Sequence, residues 1–263
     1  MMRALVTGVA GGMGYETALA LISSGYEVEG LDISEPEPLD GLVFTKCDLT
    51  DSGAVAAAYG EICGRGELNC IVNAAGVYDL DSLIEIDEER FRRIFEVNVG
   101  GVYRVNKTFL PLLKERGRIV IITSELAPLD PLPFTGIYGI TKTALEKYAY
   151  SLRTELSLIG HPVVVIRPGA VDTGLLGDSV RALDRFTEST SLYKIGAKNF
   201  NKVVNSVESK NVPPERIAKT VIKALTARRP RYVYNVNRNR LLLLAETAPD
   251  RLKDAVIRRI LKK

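Results

Sequence analysis

Near its start the chain reads Arg3-Ala-Leu-Val-Thr7-Gly8-Val-Ala-Gly11-Gly12-Met13-Gly14, a short apolar run that ends in a cluster of glycines. Apolar residues then recur at helical spacing over 13–24, and Gly25 ends the pattern. This stretch predicts a strand, a tight turn and a helix. Backbone N–H groups and the positive helix end can meet a pyrophosphate in such a turn. Glycine turns also serve methyltransferases and purely structural corners.

Strand and helix patterns alternate along the rest of the chain. The stretch 118–123 is an unbroken apolar run, which is typical of a parallel strand with helices on both of its faces. We predict a doubly wound, mostly parallel seven-stranded α/β sheet in a single domain over 1–263. The strands are 3–7, 26–31, 43–44, 70–73, 118–123, 162–167 and 232–235, and the helices include 52–62, 87–98, 101–115, 138–159, one opened by Pro213-Pro214-Glu215, and 239–261 with a break at Pro249.

The second half of the chain is less regular. We expect 175–211, where apolar residues return at near-helical spacing, to be a substrate-binding lid. Residues 239–263 are predicted to be a basic helical tail, because 228–263 hold eleven Lys and Arg against Glu246, Asp250 and Asp254. We interpret the charges as solvated helix faces and subunit contacts, with attraction to an anionic membrane surface or an acidic partner as the alternative.

Several classes of protein do not fit the sequence. The longest notable apolar run, 241–245, is far short of the roughly 20 residues that span a bilayer. No apolar signal region precedes the glycine turn, and we therefore expect a cytoplasmic protein. The single His161 and three cysteines without a C-x-x-C pair predict no metal site. With a net charge of only +3, we predict no nucleic-acid partner.

An acidic residue follows the second predicted strand. Asp32 lies about twenty residues after the glycine turn, where a carboxylate can accept hydrogen bonds from both adenosine ribose hydroxyls. A 2′-phosphate would meet like charge there, and the glycine loop carries no Lys or Arg to compensate it. The pattern predicts NAD(H) in preference to NADP(H). The alternative is that Asp32 is an ordinary turn residue at a strand end.

The stretch Tyr138-Gly-Ile-Thr-Lys142 places a phenol and an ammonium one helical turn apart, fourteen residues after Ser124. A positive charge beside a phenol favours the phenolate, so we expect the pKa of Tyr138 to fall from its ordinary value of about 10. Tyr138 is then a candidate acid/base. In isolation, Tyr138 reads equally as a packed aromatic and Lys142 as a solvated helix charge.

Taken together, these motifs resemble the short-chain dehydrogenase/reductase family from Arg3 to about Thr173. The resemblance rests on Thr7-Gly8-x-x-x-Gly12-x-Gly14, Asp48-Leu49, Asn73-Ala74-Ala-Gly76, Asn98 in Asn-Val-Gly-Gly, Ser124, Tyr138 with Lys142, and Pro168-Gly169-Ala-Val-Asp-Thr173. The gap between Ser124 and Tyr138 is one residue longer than is usual in the family, and the intervening loop is rich in proline.

The resemblance implies a Rossmann fold and assigns roles. Ser124 would hydrogen-bond the substrate oxygen and Tyr138 would transfer the hydroxyl proton. Lys142 would lower the tyrosine pKa and hold ribose hydroxyls, while Asn98 would position a water behind it; a simple helix cap is the alternative for Asn98. Thr173 would anchor the nicotinamide carboxamide. The implied cofactor residues are Gly8, Gly12, Met13, Gly14, Asp32, Asp48, Leu49, Asn73, Ala74, Gly76, Tyr138, Lys142, Pro168, Val171 and Thr173. Homo-oligomers would form through 101–115 and 138–159.

Apolar residues around these motifs suggest a hydrophobic substrate, and the C-terminal part is similar to the steroid and retinol dehydrogenase branch. Each of these residues reads equally as lid core or subunit contact. We therefore expect an NAD-dependent enzyme that acts on a bulky apolar secondary alcohol. A 3-oxoacyl or small-ketone reductase, a cofactor-sensing regulator without activity and a methyltransferase are the alternatives. The candidate pocket residues are Tyr78, Leu126, Leu129, Leu132, Phe134, Leu175, Phe186 and Tyr193.

Overall fold

The structure, a computed structural model, describes residues 2–207, 211–239, 242 and 247–262. Seven strands form one sheet in the order β3-β2-β1-β4-β5-β6-β7, and each neighbouring pair is parallel. This confirms the predicted doubly wound Rossmann sheet. The strands are β1 Met2–Thr7, β2 Tyr26–Asp32, β3 Leu42–Lys46, β4 Leu68–Asn73, β5 Leu113–Ile122, β6 Val163–Pro168 and β7 Val233–Val236.

Helices cover both faces of the sheet. They are α1 Gly12–Ser23, α2 Ser52–Cys63, α3 Glu88–Phe95, α4 Val102–Phe109, α5 Gly136–Ser157, α6 Gly174–Ser189, α7 Lys194–Val207, α8 Glu215–Thr226 and α9 Asp250–Leu261. A π-helical turn, Glu96–Gly101, joins α3 to α4.

The two faces of the sheet bury separate apolar clusters because side chains alternate along each strand. On β1, Leu5 packs with Phe109 in the cluster beneath α2, α4 and α5. Its neighbours Ala4 and Val6 belong to the opposite cluster beneath α1 and α8. Burying a valine or leucine side chain contributes about 1.5–3 kcal/mol to the stability of the fold. A third cluster, centred on Phe186 and Phe200, lies between α6 and α7.

The strand order reverses between β1 and β4, which pair with each other: β2 and β3 follow on the β1 side of the sheet, and β5, β6 and β7 on the β4 side. Loops that leave the carboxyl ends of two such strands diverge to opposite faces, and the crevice between them is where ligands bind in open α/β sheets. The glycine turn after β1 and the loop after β4 both open onto this crevice.

The predicted helix 101–115 is wrong at its C-terminal end. The α-helix stops at Phe109, and a short 3₁₀ turn, Leu110–Leu112, leads directly into β5 at Leu113. Pro111 explains the early stop, because proline has no N–H to donate to the helix and its ring clashes with the preceding turn.

The segment predicted as a lid contains α6 and α7, and residues 208–210 lie outside the described part. In the predicted tail, α9 begins directly after Pro249, where we expected a break. Residues 240, 241, 243–246 and 263 of that tail lie outside the described residues, as does nearly all of the apolar run 241–245.

Candidate active site

The turn between β1 and α1 requires glycine at two positions. Gly8 has a φ of +78°, and its N–H donates to the Leu31 carbonyl at 2.8 Å. A Cβ at Gly14 would lie 2.0 Å from the Gly8 carbonyl oxygen, so α1 packs against the turn closer than any side chain allows. No side chain caps α1 at Gly11, and its first turn holds no acidic residue. The first N–H groups of α1 are therefore available to an anion.

A groove of about 720 Å³ runs along the carboxyl edge of the sheet from this turn. Asp32 lies on its wall, and its carboxylate accepts hydrogen bonds from the N–H groups of Ala10 at 2.9 Å and Ser34 at 3.1 Å. These two bonds fix the carboxylate beside the turn. Of the residues expected to contact a cofactor, the groove brings together Gly8, Gly12, Met13, Gly14, Asp32, Asp48, Leu49, Ala74, Gly76 and Thr173.

Asn98 lies inside the π-helical turn and is fully buried, so it is not a helix cap. Its Oδ1 accepts from the Val77 N–H at 2.8 Å, and its Nδ2 donates to the Val77 carbonyl at 2.9 Å and to the Thr141 hydroxyl at 3.1 Å. Widened helical turns of this kind recur at functional sites. Here the turn lets one amide hold the loop after β4 against α5.

Gly76 brings Asn98 and Lys142 to the same point. A Cβ at Gly76 would lie 3.2 Å from Asn98 Oδ1 and 3.4 Å from Lys142 Nζ. Any larger residue at position 76 would therefore press on both polar groups.

Tyr138 and Lys142 face each other on α5, with the Lys142 Nζ 5.5 Å from the centre of the Tyr138 ring. The two residues are only 7% and 5% exposed. Burial raises the pKa of Tyr138 to about 12, against the effect of a hydrogen bond with Ser124, and burial lowers the pKa of Lys142 to about 8. The expected fall in the tyrosine pKa is thus not found in this state of the site. Desolvation of the phenolate outweighs the hydrogen bond with Ser124, which favours a lower tyrosine pKa.

Ser124 follows β5, and its hydroxyl accepts a hydrogen bond from the Leu126 N–H at 3.2 Å. With Tyr138 it lines a second cavity, of about 230 Å³, whose wall is mainly apolar. Tyr78, Leu126 and Leu132 line this cavity as the sequence suggested. The other candidate pocket residues are placed differently or not described: Leu129, Phe134, Phe186 and Tyr193 do not line it, and the side chain of Leu175 lies outside the described part.

Phe134 and Phe186 are pocket candidates that pack in the apolar cluster between α6 and α7 instead of lining the cavity. Their rings lie 4.6 Å apart between centroids, and Phe134 also contacts Tyr193 and Phe200. Phe186 is fully buried in the cluster between α6 and α7. For these residues the alternative interpretation, lid core, is the one that the packing supports.

Five expected cofactor residues do not line the groove: Asn73, Tyr138, Lys142, Pro168 and Val171. Pro168 and Val171 line the apolar cavity instead, whereas Met13 and Thr173 line both spaces. Asn73 is buried and lines neither; its Nδ2 donates to Asn106 Oδ1 at 2.9 Å. The amide of Asn73 therefore ties β4 to α4, behind the crevice.

Sequence reasoning missed several polar residues at the site. The Thr7 hydroxyl accepts from the N–H groups of Ala74 and Ala75, each at 3.1 Å, and so joins the ends of β1 and β4. Thr141 accepts from Asn98 and lies one residue before Lys142, a proximity that could have suggested it. Arg92 and Arg93 of α3 line the groove, and nothing in their spacing signals this.

Among the described residues, no group of three or more His, Cys, Asp or Glu side chains is placed to hold a metal ion. No helix within the same ranges is both long and apolar enough to span a membrane.

The model of the short chain dehydrogenase family matches residues 2–184, which include the whole groove and the Ser124, Tyr138 and Lys142 cluster. The chain belongs to the short-chain dehydrogenase family. Members of this family bind a nicotinamide cofactor and include dehydrogenases and reductases of alcohols and ketones, and this chain is an oxidoreductase.

Two curated relatives of the family are 30% identical to this chain. One, the NADPH-dependent 3-dehydrocapnine reductase of Ornithobacterium rhinotracheale, matches over 100% of this chain and 98% of its own length. The other, the 2-keto-3-deoxy-L-fuconate dehydrogenase of Xanthomonas campestris pv. campestris, matches over 69% of this chain, which spans 62% of that relative. A solved short-chain dehydrogenase from Streptomyces avermitilis has the same fold, with a TM-score of 0.77, 24% identity and coverage of 97% of this chain and 93% of its own.

Proposed function

We propose that this protein is an NAD(H)-dependent oxidoreductase that interconverts a secondary alcohol and a ketone on a bulky hydrophobic molecule. One observation carries the proposal: Ser124 and Tyr138 line an apolar cavity that shares Met13 and Thr173 with the long groove. A substrate oxygen held by the two hydroxyls would thus lie at the junction between a dinucleotide and an apolar body.

The residues present fit a nicotinamide dinucleotide. The uncapped start of α1 and the turn at Gly8 offer N–H groups to a pyrophosphate. The carboxylate of Asp32 is positioned for ribose hydroxyls, and Lys142 approaches the inner end of the groove near Gly76. When bound, the cofactor accepts or supplies the hydride.

The protein side chains then handle the oxygen and its proton. The Ser124 hydroxyl donates to the substrate oxygen and orients it, and Tyr138 takes the alcohol proton or returns it to the ketone. Lys142 supplies a positive charge that stabilises the phenolate as it forms. Asn98, held by Val77 and Thr141, is the group that we propose keeps a water behind Lys142.

The preference for NAD(H) rests on Asp32. Its negative charge would oppose a 2′-phosphate, and residues 8–14 contain no Lys or Arg. Arg92 and Arg93 line the groove, and the Ornithobacterium relative is named as NADPH-dependent. Affinities for NAD⁺ and NADP⁺ measured by calorimetry decide the point, and tighter NADP⁺ binding would overturn the preference.

The substrate proposal rests on the apolar wall of the smaller cavity, to which Phe200 and Val204 of α7 contribute. We propose that α6 and α7 form the lid of this cavity. Steady-state NADH formation on a panel of steroids, retinoids and sugar alcohols tests the idea. Turnover of small polar alcohols alone would reject it and favour the small-ketone or 3-oxoacyl alternative. Cofactor binding without turnover, unchanged by Tyr138→Phe, would favour a regulator.

We also propose a homo-oligomer that uses α4 and α5, which expose Tyr103, Ile140 and Tyr150. Light scattering that gives the mass of one chain would contradict it. The cytoplasmic location stays a prediction.

We base a proposed contact with a membrane surface on α9. Leu252, Val256 and Ile260 are about half exposed at a spacing of four residues, with Arg258 and Arg259 beside them. Absence of co-sedimentation with anionic vesicles would reject this contact.

A further inference from the structure

The apolar cavity contains one charged group. Of its lining residues that the structure describes, Glu125 alone carries a charge at neutral pH; the others are aliphatic, aromatic, hydroxyl-bearing or glycine. Glu125 follows Ser124 directly in the chain, so their Cα atoms lie about 3.8 Å apart. Glu125 thus brings a carboxylate to the same cavity of about 230 Å³ that Ser124 and Tyr138 line.

Only one of the two carboxylate oxygens of Glu125 accepts a hydrogen bond from a described residue. Oε2 accepts a hydrogen bond from the Asn239 N–H at 2.6 Å, and the Glu125 N–H donates to the Pro168 carbonyl at 2.7 Å. Among the described residues, none donates to Oε1. That oxygen lies 2.9 Å from the position where a Cβ would stand at Gly169, and the same position is 2.1 Å from the Asn237 carbonyl oxygen. Because Glu125 and Gly169 both line the cavity, Oε1 lies beside the part of the cavity wall that Gly169 forms.

No cation of the described chain pairs with this carboxylate. The positive charge of Arg238 influences Glu125, but the two side chains form no ion pair within 4.0 Å. The Nε atom of Arg238 is buried and has no hydrogen-bond partner among the described residues. Burial raises the pKa of Glu125, against the hydrogen bond from Asn239 and the charge of Arg238. A carboxylate kept in an apolar space is costly unless a cation or donors compensate it.

We propose that Glu125 binds a protonated amine of the substrate, so that the substrate class is an amino alcohol or amino ketone whose ammonium group lies near the reacting carbon. This inference rests on the proposed function. An ammonium would pair with Oε1 while Oε2 keeps its bond to Asn239. Without that carboxylate an apolar cavity would exclude a strongly hydrated cation.

Two alcohols of equal size test the proposal: 2-amino-1-phenylethanol, which is protonated at pH 7, and 1-phenylpropan-1-ol, in which a methyl group replaces the ammonium. The variant Glu125→Gln removes the charge and retains an oxygen for the Asn239 N–H. We expect it to lower kcat/KM for the amino alcohol about 10- to 100-fold and to change the neutral alcohol by less than about twofold. Glu115→Gln, an exposed site away from the cavity, controls for net charge.

Equal loss on both alcohols would show that Glu125 only positions the loop, and no loss on the amino alcohol would also overturn the proposal. A binding measurement separates this from failure of the proposed function. In a Tyr138→Phe background saturated with NAD⁺, calorimetry measures the affinity for the amino alcohol without turnover. At least tenfold weaker binding on adding Glu125→Gln supports the amine site even if neither alcohol yields NADH, and unchanged binding refutes it.

Discussion

The two spaces that meet at Tyr138 are built in different ways. The groove is made mainly of turns and strand ends from the first half of the chain, with Thr173, Gly174 and Asp178 added after β6, and its glycine turn leads into a helix start without a side-chain cap. The apolar cavity is closed by side chains from many segments, including Phe200 and Val204 on α7 and Leu242 beyond β7. The family match ends at residue 184, before α7 and the tail. We therefore expect the chemistry shared by the family to depend on the sheet edge and substrate choice to depend on the later packing.

Tyr138 lies where the groove and the apolar cavity meet, and its substitution should have the largest effect. We expect Tyr138→Phe to lower kcat about 10³-fold, because it removes the proton-transferring hydroxyl, while the Kd for NAD⁺ stays unchanged. Steady-state kinetics and calorimetry measure both. Tyr150→Phe on the same helix is the control, since Tyr150 is exposed and far from the cavity lining. If both variants retain full activity, Tyr138 is not the acid/base.

The groove depends on close backbone packing rather than on side chains. Gly14→Ala would place a methyl group against the Gly8 carbonyl, and we expect the free energy of unfolding to fall by about 3 kcal/mol and NAD⁺ binding to weaken with it. Gly11→Ala is the matched control, because a Cβ there meets nothing within 4 Å. Urea denaturation of both variants measures the difference. Equal stabilities would contradict a tightly packed turn.

Cofactor choice tests the carboxylate of Asp32 on the groove wall. Asp32→Ala removes the carboxylate proposed for the ribose hydroxyls, and we expect NAD⁺ affinity to fall about tenfold while NADP⁺ affinity rises. Glu35→Ala, an exposed acidic neighbour, controls for net charge. The NAD⁺ to NADP⁺ affinity ratio is the measured quantity. An unchanged ratio would remove Asp32 from cofactor selection.

A larger side chain in the wall of the apolar cavity should change substrate selection without changing cofactor binding in the groove. Val204→Phe adds bulk to the cavity wall, and we expect kcat/KM to fall about tenfold for bulky alcohols with little change for small ones. The Kd for NAD⁺ should stay constant. Val180→Phe, at an exposed position on α6, serves as control. A similar loss for small alcohols would place Val204 outside substrate selection.

The smallest effect concerns the buried lysine. Burial lowers the pKa of Lys142 from 10.5 to about 8, so between these pH values the unfolded chain binds more protons than the folded one. Lys142 therefore contributes a rise in the free energy of unfolding with pH in this window. The buried thiols of Cys47 and Cys70, whose pKa values are raised from 9.0 to about 11 and about 12, contribute a fall above about pH 9, and Tyr138 does so at higher pH. Lys142→Met should remove the lysine contribution, and Lys147→Met, exposed on the same helix, should not. Urea denaturation at pH 7.5 and pH 9.5 gives the change in the free energy of unfolding for each variant; an equal change in both variants would refute the prediction.

Much of the fold was predictable because its signals are local. The glycine turn, the apolar run of β5 and the four-residue spacing on α5 each follow from the period of one element or the conformation of one turn. The early end of α4 at Phe109 was missed although Pro111 signals it, because helical spacing continues across the proline. The role of Phe186 was missed for another reason, since an apolar residue at helical spacing reads the same in a lid core and in a pocket wall.

The sequence by itself determined the order of elements, the glycine turn after β1 and the one-turn spacing of Tyr138 and Lys142, because these depend on spacing within one or two neighbouring elements. Only the tertiary structure decided which apolar residues meet the substrate cavity, that desolvation raises the Tyr138 pKa, and that Glu125 brings a half-used carboxylate into that cavity. Burial and charge at these positions depend on contacts between segments that are far apart in the chain, and no local sequence pattern indicates those contacts.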